Sequence, residues 1–334
     1  MAGYPVVLLP GDGIGPEITE ATREVLEATG VEIDWRPYET GIAAMEKAGT
    51  PLPEEVVEEI RRWGVALKGP ITTPVGTGFS SVTVALRQRL DLYANLRPVR
   101  SIPGVPARYS DVDLVIIREN TEDLYAGIEY RIDEDTVVAE KRITRRASLR
   151  IARFAFDYAS RYGRRQITAV HKANILKMSD GLFLQCAREV AGQYPQVPYT
   201  ERIVDALCMD LVLDPGRHDV LLCPNLYGDI VSDLAAGLVG GLGLAPAANV
   251  GDGVAIFEAV HGSAPDIAGK GIANPTALIL AGAMMLAHLG ESAAAVRIER
   301  AVWETYRRGQ ALTPDMGGTA TTREMARAVV ECLE

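Results

Sequence analysis

An α/β fold is what this 334-residue sequence predicts, and three observations carry the prediction. First, strand-like and helix-like periods alternate. The apolar run 6–9 is followed by Ile18, Ala21, Thr22, Val25, Leu26 and Thr29 at helical spacing, and then by Val31, Ile33 and Trp35 alternating as on a half-buried strand. Second, glycine and proline punctuate the changes of period: Gly11-Asp12-Gly13-Ile14-Gly15-Pro16 follows the first run and Gly30 closes the helix. Third, a composition of 48% apolar and 23% charged residues is that of a chain with a packed core. At roughly 150 residues per domain, two domains are expected.

The remaining elements keep the same rhythm. Pro53 opens a second helix that runs to Trp63, and 65–67 form the next strand. Segment 114–117 reads as a buried strand, 144–162 as a long helix with arginines on its outer face, and 166–171 and 220–223 as further strands. Between 130 and 143 an alternating stretch centred on Asp133-Glu134-Asp135 predicts a hairpin, a protruding arm. From Pro275 onward the chain reads as mostly helical, with Gly317-Gly318 as a loop. The β-loop-α-β order argues for a sheet with parallel strands. No repeat or linker-like stretch separates the domains, which predicts that they interweave.

Charge and spacing exclude several function classes. Lys plus Arg number 34 and Asp plus Glu 44, a net charge of −10, which argues against a nucleic-acid platform and leaves room for a small basic pocket. No run of about 18 apolar residues is present, so no membrane span is expected. Cys186, Cys208, Cys223 and Cys332 are widely spaced with no CxxC pair, which favours reduced thiols. With no basic, apolar leader before the first strand, the expectation is a cytoplasmic chain.

Candidate chemistry is scattered along the chain. Gly11-Asp12-Gly13-Ile14-Gly15 is GxGxG, so its third glycine is misplaced for the Rossmann fingerprint GxGxxG, and a tight turn is the competing reading. Asp229 and Asp233 stand four residues apart, on one face if helical, where like charges repel unless a divalent cation intervenes. Oxygen-only ligands would select Mg²⁺ or Mn²⁺ over zinc, while a helix cap plus a solvated carboxylate is the plainer alternative. Arg87, Arg97 and Arg118 punctuate apolar segments, the last two flanking the strand-like runs 92–96 and 114–117. Three such arginines suit a polyanionic ligand, although most arginines at element ends simply face water. Lys172 ends a strand and is either a desolvated base or a snorkelling side chain. His171, His261 and Tyr125 would pass as core residues by spacing alone.

Five stretches make the ensemble specific: DLYANLRP at 91–98, RENTEDLYAGIE at 118–129, AVHKANILKMSDGLF at 169–183, NLYGDIVSDLAAGLVGGLGL at 225–244 and HGSAPDIAGKGIANPTA at 261–277. With GDGIGPE at 11–17, the chain resembles the β-decarboxylating dehydrogenases over nearly its whole length, and among them the NAD-dependent isocitrate dehydrogenases most. The resemblance implies an isopropylmalate/isocitrate dehydrogenase-like α/β fold of two domains, not a Rossmann fold. Residues 1–97 plus 246–334 would form the large cofactor-binding domain. Residues 98–245 would form the small one, carrying the dimer contacts and the arm. It further implies a homodimer whose active sites draw residues from both subunits. Arg87, Arg97 and Arg118 would clamp the carboxylates of a 2-hydroxy tricarboxylate, with Asn174 on the substrate and nicotinamide side. Asp229 and Asp233, with Asp205 from the partner chain, would hold Mg²⁺ or Mn²⁺. Lys172, also from the partner, would serve as base, and Tyr125 would protonate the enol carbon after decarboxylation. Ile14, Thr73, His261, Gly262, Ala264, Asp266, Ile267 and Asn274 match cofactor positions. An aspartate at 266 accepts hydrogen bonds from a ribose 2′-hydroxyl and repels a 2′-phosphate, which points to NAD.

Substrate choice rests on fewer residues. The segment from Lys68 through Val75 and Gly76 to Ser81 resembles isocitrate dehydrogenases, and Ser81 matches their contact to the distal carboxylate. Ser80, Thr83 and Arg87 are spaced to share a polar helical face. The resembling enzymes show Ser-x-Asn where this chain has Ser81-Val82-Thr83, so homoisocitrate, or a broader range of 3-substituted malates, is the alternative.

Overall fold

The computed structural model describes residues 3–74 and 78–333, so Val75 and Gly76 of the isocitrate-like segment lie outside the described residues. In chain order the elements begin with β1 (Tyr4–Leu9), α1 (Gly15–Glu27), β2 (Ile33–Pro37), α2 (Ile42–Ala48), α3 (Glu54–Trp63), β3 (Val65–Lys68) and α4 (Val82–Arg89). There follow β4 (Ala94–Arg100), β5 (Asp113–Glu119), β6 (Glu129–Arg131), β7 (Val137–Ala139), α5 (Arg145–Arg161), β8 (Ile167–His171) and α6 (Ser179–Ala191). The chain continues through β9 (Tyr199–Ile203), α7 (Val204–Leu213), β10 (Val220–Cys223), α8 (Asn225–Leu238), β11 (Pro246–Gly251) and β12 (Val254–Ala259). It ends with α9 (Thr276–His288), α10 (Ser292–Arg308) and α11 (Thr322–Glu331).

Ten strands form one sheet in the order β2-β1-β3-β12-β11-β4-β5-β10-β8-β9, and β6 pairs with β7 as the expected hairpin arm. Both outer portions of the sheet are parallel, as predicted. Its middle is not: β4 runs antiparallel to both β11 and β5, and β11 antiparallel to β12. The order is not that of a Rossmann sheet. Three helices escaped the sequence reading, α2, α6 and α7, the first of them having only seven residues between Gly41 and Gly49, both at positive φ.

Local sequence accounts for the long elements. Thr144 caps α5 by accepting the Ala147 N–H at 3.2 Å, and Ala147, Ile151, Ala152, Ala155, Phe156 and Ala159 form its buried face. Helix α11 begins on a capping box between Thr321 and Glu324. Helix α9 is apolar nearly all round and lies buried against β11 and β12. Separate apolar clusters cover the two ends of the sheet, one around Ile18, Phe257, Leu286 and Ile298, another around Phe156, Phe183 and Leu222. Cys186, Cys208, Cys223 and Cys332 are free thiols, and no described helix is long and apolar enough to cross a membrane.

Two glycines of the GxGxG loop earn their place by contact. A Cβ on Gly11 would lie 2.1 Å from the Pro70 carbonyl oxygen, and one on Gly13 would lie 2.0 Å from that of Ser263. Both residues are also at positive φ. The loop after β1 therefore presses backbone to backbone against the segments at 70 and 263. Asp12 completes the junction by accepting N–H bonds from Ile42 and Thr72, each at 2.9 Å.

Between the apolar ends, a polar line crosses the sheet. The register sets Lys68 beside Glu258, Asn249 beside Asn95, and Asn95 beside Arg118, so these side chains share one face across five strands. The Glu258 carboxylate meets the Lys68 ammonium at 2.7 Å and Arg87 at 3.2 Å, all three buried. Burial works to raise the Glu258 pKa, but Lys68 and then Arg87 reverse this and hold it at about 2, against an ordinary value of 4.5. A depressed carboxyl stabilises the fold fully above its ordinary value and loses that contribution as pH falls toward its folded value. Glu258→Gln is thus expected to cost about 3–5 kcal/mol in neutral urea unfolding, by leaving two buried cations unpaired. The variant should also lose the part of the acid-side decline in stability that the wild type shows between pH ~4.5 and ~2, checked by thermal melts across that window.

Candidate active site

The site grows from where the middle strands end. Arg97 lies inside β4 and Arg118 inside β5, both buried, rather than at element ends as the sequence suggested. An arginine inside a buried strand persists only when its charge is met. Arg118 donates from Nε (3.0 Å) and Nη2 (2.7 Å) to the Asn225 Oδ1 and pairs through Nη1 with Asp229. Arg97 donates from Nη1 to the Ser232 hydroxyl at 2.6 Å and lies 3.3 Å from Asp229 and 3.6 Å from Asp233. Arg87 reaches the same region from α4. Burial, then the neighbouring Arg118 and Arg87, pulls the Arg97 pKa down to about 10. Three guanidiniums packed this tightly form a receptor for added negative charge.

Asp229 and Asp233 share one face of α8, as their spacing predicted. Pro224 occupies the helix cap, so neither aspartate is a cap residue. Burial acts to raise the Asp229 pKa, but Arg118 and then Arg97 outweigh it and the net shift is downward. Asp233 is shifted upward, by burial first and also by Asp229. Both carboxylates retain exposure, 33% and 52%, and present only oxygen. That donor set fits a hard divalent cation. Among the described residues no three His, Cys, Asp or Glu side chains gather as a metal group. Asp205 is therefore not with the α8 pair; it starts α7 and pairs with Lys172 at 2.5 Å.

Tyr125 is no core aromatic. It sits in a short 3-10 turn, 124–126, entered through Asp123 at φ +71°. Asp123 accepts the Leu124 N–H and, through its other oxygen, the Leu226 N–H at 3.0 Å, tying the turn to the start of α8. The Tyr125 hydroxyl donates to Asp229 and its ring lies 4.9 Å from the Arg118 guanidinium. Burial and then Asp229 raise its pKa, so it stays protonated through the neutral range.

The Lys172 and Asp205 pair stands elsewhere, beside an uncovered apolar surface. Ile175, Leu176, Met178, Met209, Val212 and Leu213 are all exposed there, Met178 to 90%. Asn174, on the same segment, is exposed and has no hydrogen bond among the described residues. Ser81 caps α4, its hydroxyl accepting the Val84 N–H at 3.3 Å. The helix begins at Val82, which leaves Ser80 off it and overturns the Ser80-Thr83-Arg87 face; Thr83 and Arg87 do share a face.

The cofactor positions largely converge. Ile14, His261, Gly262, Ala264, Ile267 and Asn274 line one cavity of about 640 Å³, together with Asp315. His261 places Nδ1 3.0 Å from the Gly262 carbonyl oxygen and so carries its proton there, leaving Nε2 as an acceptor with no partner. Burial lowers its pKa, which keeps the ring neutral. An unpartnered acceptor in an apolar wall suits the exocyclic amine of a purine. Asn274 is a wall residue whose amide is spent on Asp315, Tyr306 and Thr276. Thr73 and Asp266 are exposed and do not line the cavity. The neighbouring Thr72 is the one held, with its hydroxyl 2.7 Å from that of Ser263.

Sequence reasoning passed over Lys68, Asn95, Asn120, Asn249 and Glu258. Their signal was available, a charged or amide residue interrupting a buried strand run as in VALK, AANVG and AIFEA. It was applied to the arginines alone.

A family model described as isocitrate/isopropylmalate dehydrogenase matches residues 5–329. The mitochondrial NAD isocitrate dehydrogenase catalytic subunit 5 of Arabidopsis thaliana is 52% identical, covering 98% of this chain and 87% of its own. The chloroplastic 3-isopropylmalate dehydrogenase of Solanum tuberosum is 51% identical, covering 91% and 85%. A crystal structure of isocitrate dehydrogenase from Methylococcus capsulatus superposes with a TM-score of 0.96 at 55% identity, over 99% of both chains. The chain belongs to the isocitrate/isopropylmalate dehydrogenase family. The cytoplasmic expectation is corrected, since relatives from plant, fly and human are mitochondrial. It rested on the few residues before the first strand, which decide nothing about location.

A glycine makes room for the key arginine. A Cβ on Gly228 would lie 2.6 Å from Cγ and 2.7 Å from Cβ of Arg118, the rooted end of a buried side chain. Gly228→Ala should displace Arg118 from Asp229, costing about 1–3 kcal/mol of stability by overpacking. Thermal melting and KM for the carboxylate substrate should both register it, KM rising by roughly tenfold.

Proposed function

We propose that this chain catalyses NAD-dependent oxidative decarboxylation of isocitrate to 2-oxoglutarate and CO₂. The observation that carries the reading is the convergence of three buried guanidiniums, Arg87, Arg97 and Arg118, beside two carboxylates on α8 and a protonated tyrosine. Such a centre is built for a small molecule bearing several negative charges. Overall identity cannot separate substrates here, because an isopropylmalate enzyme and an isocitrate enzyme match almost equally well. The local surface favours isocitrate over isopropylmalate. Ser81 and Thr83 open the helix that carries Arg87, which suits a distal carboxylate rather than an isopropyl group.

The residues divide the work. Arg87, Arg97 and Arg118 hold and orient the substrate carboxylates. Asp229 and Asp233, joined by Asp205 of a second subunit, would hold Mg²⁺ or Mn²⁺. When bound, the cation would supply Lewis-acid stabilisation of oxygen charge and NAD would supply the acceptor for the C2 hydride. Lys172 takes the proton of the C2 hydroxyl. Loss of CO₂ leaves the bonding electrons in an enolate, and Tyr125 returns a proton to its carbon. The cavity lined by His261, Ala264 and Ile267 would hold the adenosine part of NAD, and the exposed Asp266, outside that lining, would select against a 2′-phosphate.

The two ends of the sheet act as two lobes, 1–97 with 246–334 and 98–245. A second copy of the chain covers the apolar surface around Met178 and Leu213. This brings Lys172 and Asp205 into the neighbour's cleft, and explains why they stand apart from Asp229 in one chain.

Two measurements test this. NADH formation with Mg²⁺ and isocitrate, homoisocitrate or 3-isopropylmalate should give isocitrate a kcat/KM lead of about tenfold or more, roughly 1.4 kcal/mol of transition-state preference. A lead for homoisocitrate would transfer the assignment to the longer acid. Tyr125→Phe and Lys172→Ala should each lose about 10²-fold in kcat. Co-expressed, they should recover about a quarter of wild-type activity, since half the dimers are hybrids with one intact site. No recovery would remove the shared site.

A further inference from the structure

We propose that Asn249 is the positioning residue that aims Arg87 and Arg97, so that one amide on a central strand sets the reach of the carboxylate clamp; this rests on the functional reading above. Asn249 lies in mid β11, only 1% exposed, too deep to touch a substrate. Its Oδ1 accepts three hydrogen bonds: from Arg87 Nε at 2.9 Å, Asn95 Nδ2 at 2.7 Å and Asn120 Nδ2 at 2.9 Å. Its Nδ2 donates to the Glu258 carboxylate at 2.6 Å. Arg87 Nε can only donate and a carboxylate can only accept, so the amide has a single workable orientation.

The linkage extends to the second arginine. Asn95, held by Asn249, accepts Arg97 Nε on its own Oδ1 at 2.6 Å. Both guanidiniums are thereby gripped at Nε, the root of the fork. Fixing Nε fixes the plane, and the plane decides where the terminal nitrogens lie. On Arg87, Nη2 is engaged by Glu258 while Nη1 has no partner among the described residues, leaving it for a ligand. Burial lowers the Arg97 pKa first, and repulsion from Arg118 and Arg87 lowers it further. Without anchors at their roots the guanidiniums would splay.

Only an amide meets these demands. Aspartate would turn an oxygen toward Glu258, and an aliphatic side chain would strand three buried N–H donors. The residue beside Arg87 therefore acts on affinity for the tricarboxylate, with little bearing on the cofactor cavity.

The test uses full-length Asn249→Ala and Asn249→Ser, Arg87→Lys, and the double variant Asn249→Ala/Arg87→Lys. KM is read for isocitrate and NAD separately, at saturating co-substrate and Mg²⁺. The expected result is a rise of about tenfold or more in the isocitrate KM of Asn249→Ala, with the NAD KM unchanged within about twofold. Serine, which keeps an acceptor for Arg87 Nε, should recover part of the loss. The double variant should be no worse than Arg87→Lys within about threefold, because a residue acting through another is non-additive with it. Multiplying effects, or an isocitrate KM that moves less than about threefold in folded protein, would overturn the role. If alanine prevents folding, serine carries the test, and a serine variant that also fails to fold makes the amide purely structural and ends the proposal. Wild-type protein inert toward isocitrate would instead overturn the functional reading.

Discussion

Charge placed in the middle of a sheet must be answered on the spot, and most of this molecule follows from that requirement. Lys68, Arg87, Arg97 and Arg118 are buried where a burial-driven sequence would set leucine or valine. Desolvating one isolated ion costs far more than the margin by which a domain is stable. The answer is geometric. Strands β3, β12, β11, β4 and β5 arrive in a register that stacks Glu258, Asn249 and Asn95 between the cations. The antiparallel insertion in an otherwise parallel sheet is what brings these residues side by side.

The same line of polar residues makes the structure and the site one object. Glu258 neutralises Lys68 inside the sheet and also steadies Arg87. Asp229 is at once the counter-ion of Arg118, the acceptor of the Tyr125 hydroxyl and one of the paired carboxylates on α8. Networks of this kind are effective only when every member is satisfied. Their stability and their chemistry therefore vary together, and a residue chosen for one role cannot be exchanged without disturbing the other.

Much of this was legible in the sequence, for physical reasons that differ by element. Strand 220–223 and the helix over 145–161 follow from period and capping, both of which are local. Asp229 and Asp233 share a face because four residues make about one helical turn. The GxGxG loop could be refused as a Rossmann fingerprint, yet nothing local says that its glycines face Pro70 and Ser263, which lie 59 and 250 positions beyond Gly11 and Gly13. Strand order and the antiparallel middle were illegible for the same reason. The arginines were noticed, whereas their burial inside strands emerged only with Asn95, Asn249 and Glu258 in register. Short α2 fell below any periodic signal. Thr73 is expected on the cofactor side, and in a segment with no period to fix it nothing local says that Thr72 is held against Ser263 while Thr73 stays exposed.

Two kinds of surface stand beside the cavity that Ile14, His261 and Ile267 line. Where the loop after β1 meets Pro70 and Ser263, backbone touches backbone and no side chain of any size can be admitted. The turn that follows, from Ala264 to Ile267, presents an exposed Asp266. Substitutions on exposed turns of this kind typically change stability by no more than ~0.5 kcal/mol. On the proposed reading, in which Asp266 selects the dinucleotide, descendants of this chain are therefore free to drift in that preference while the frame stays fixed. Preference for a cofactor and integrity of the fold are, in this architecture, separately heritable traits.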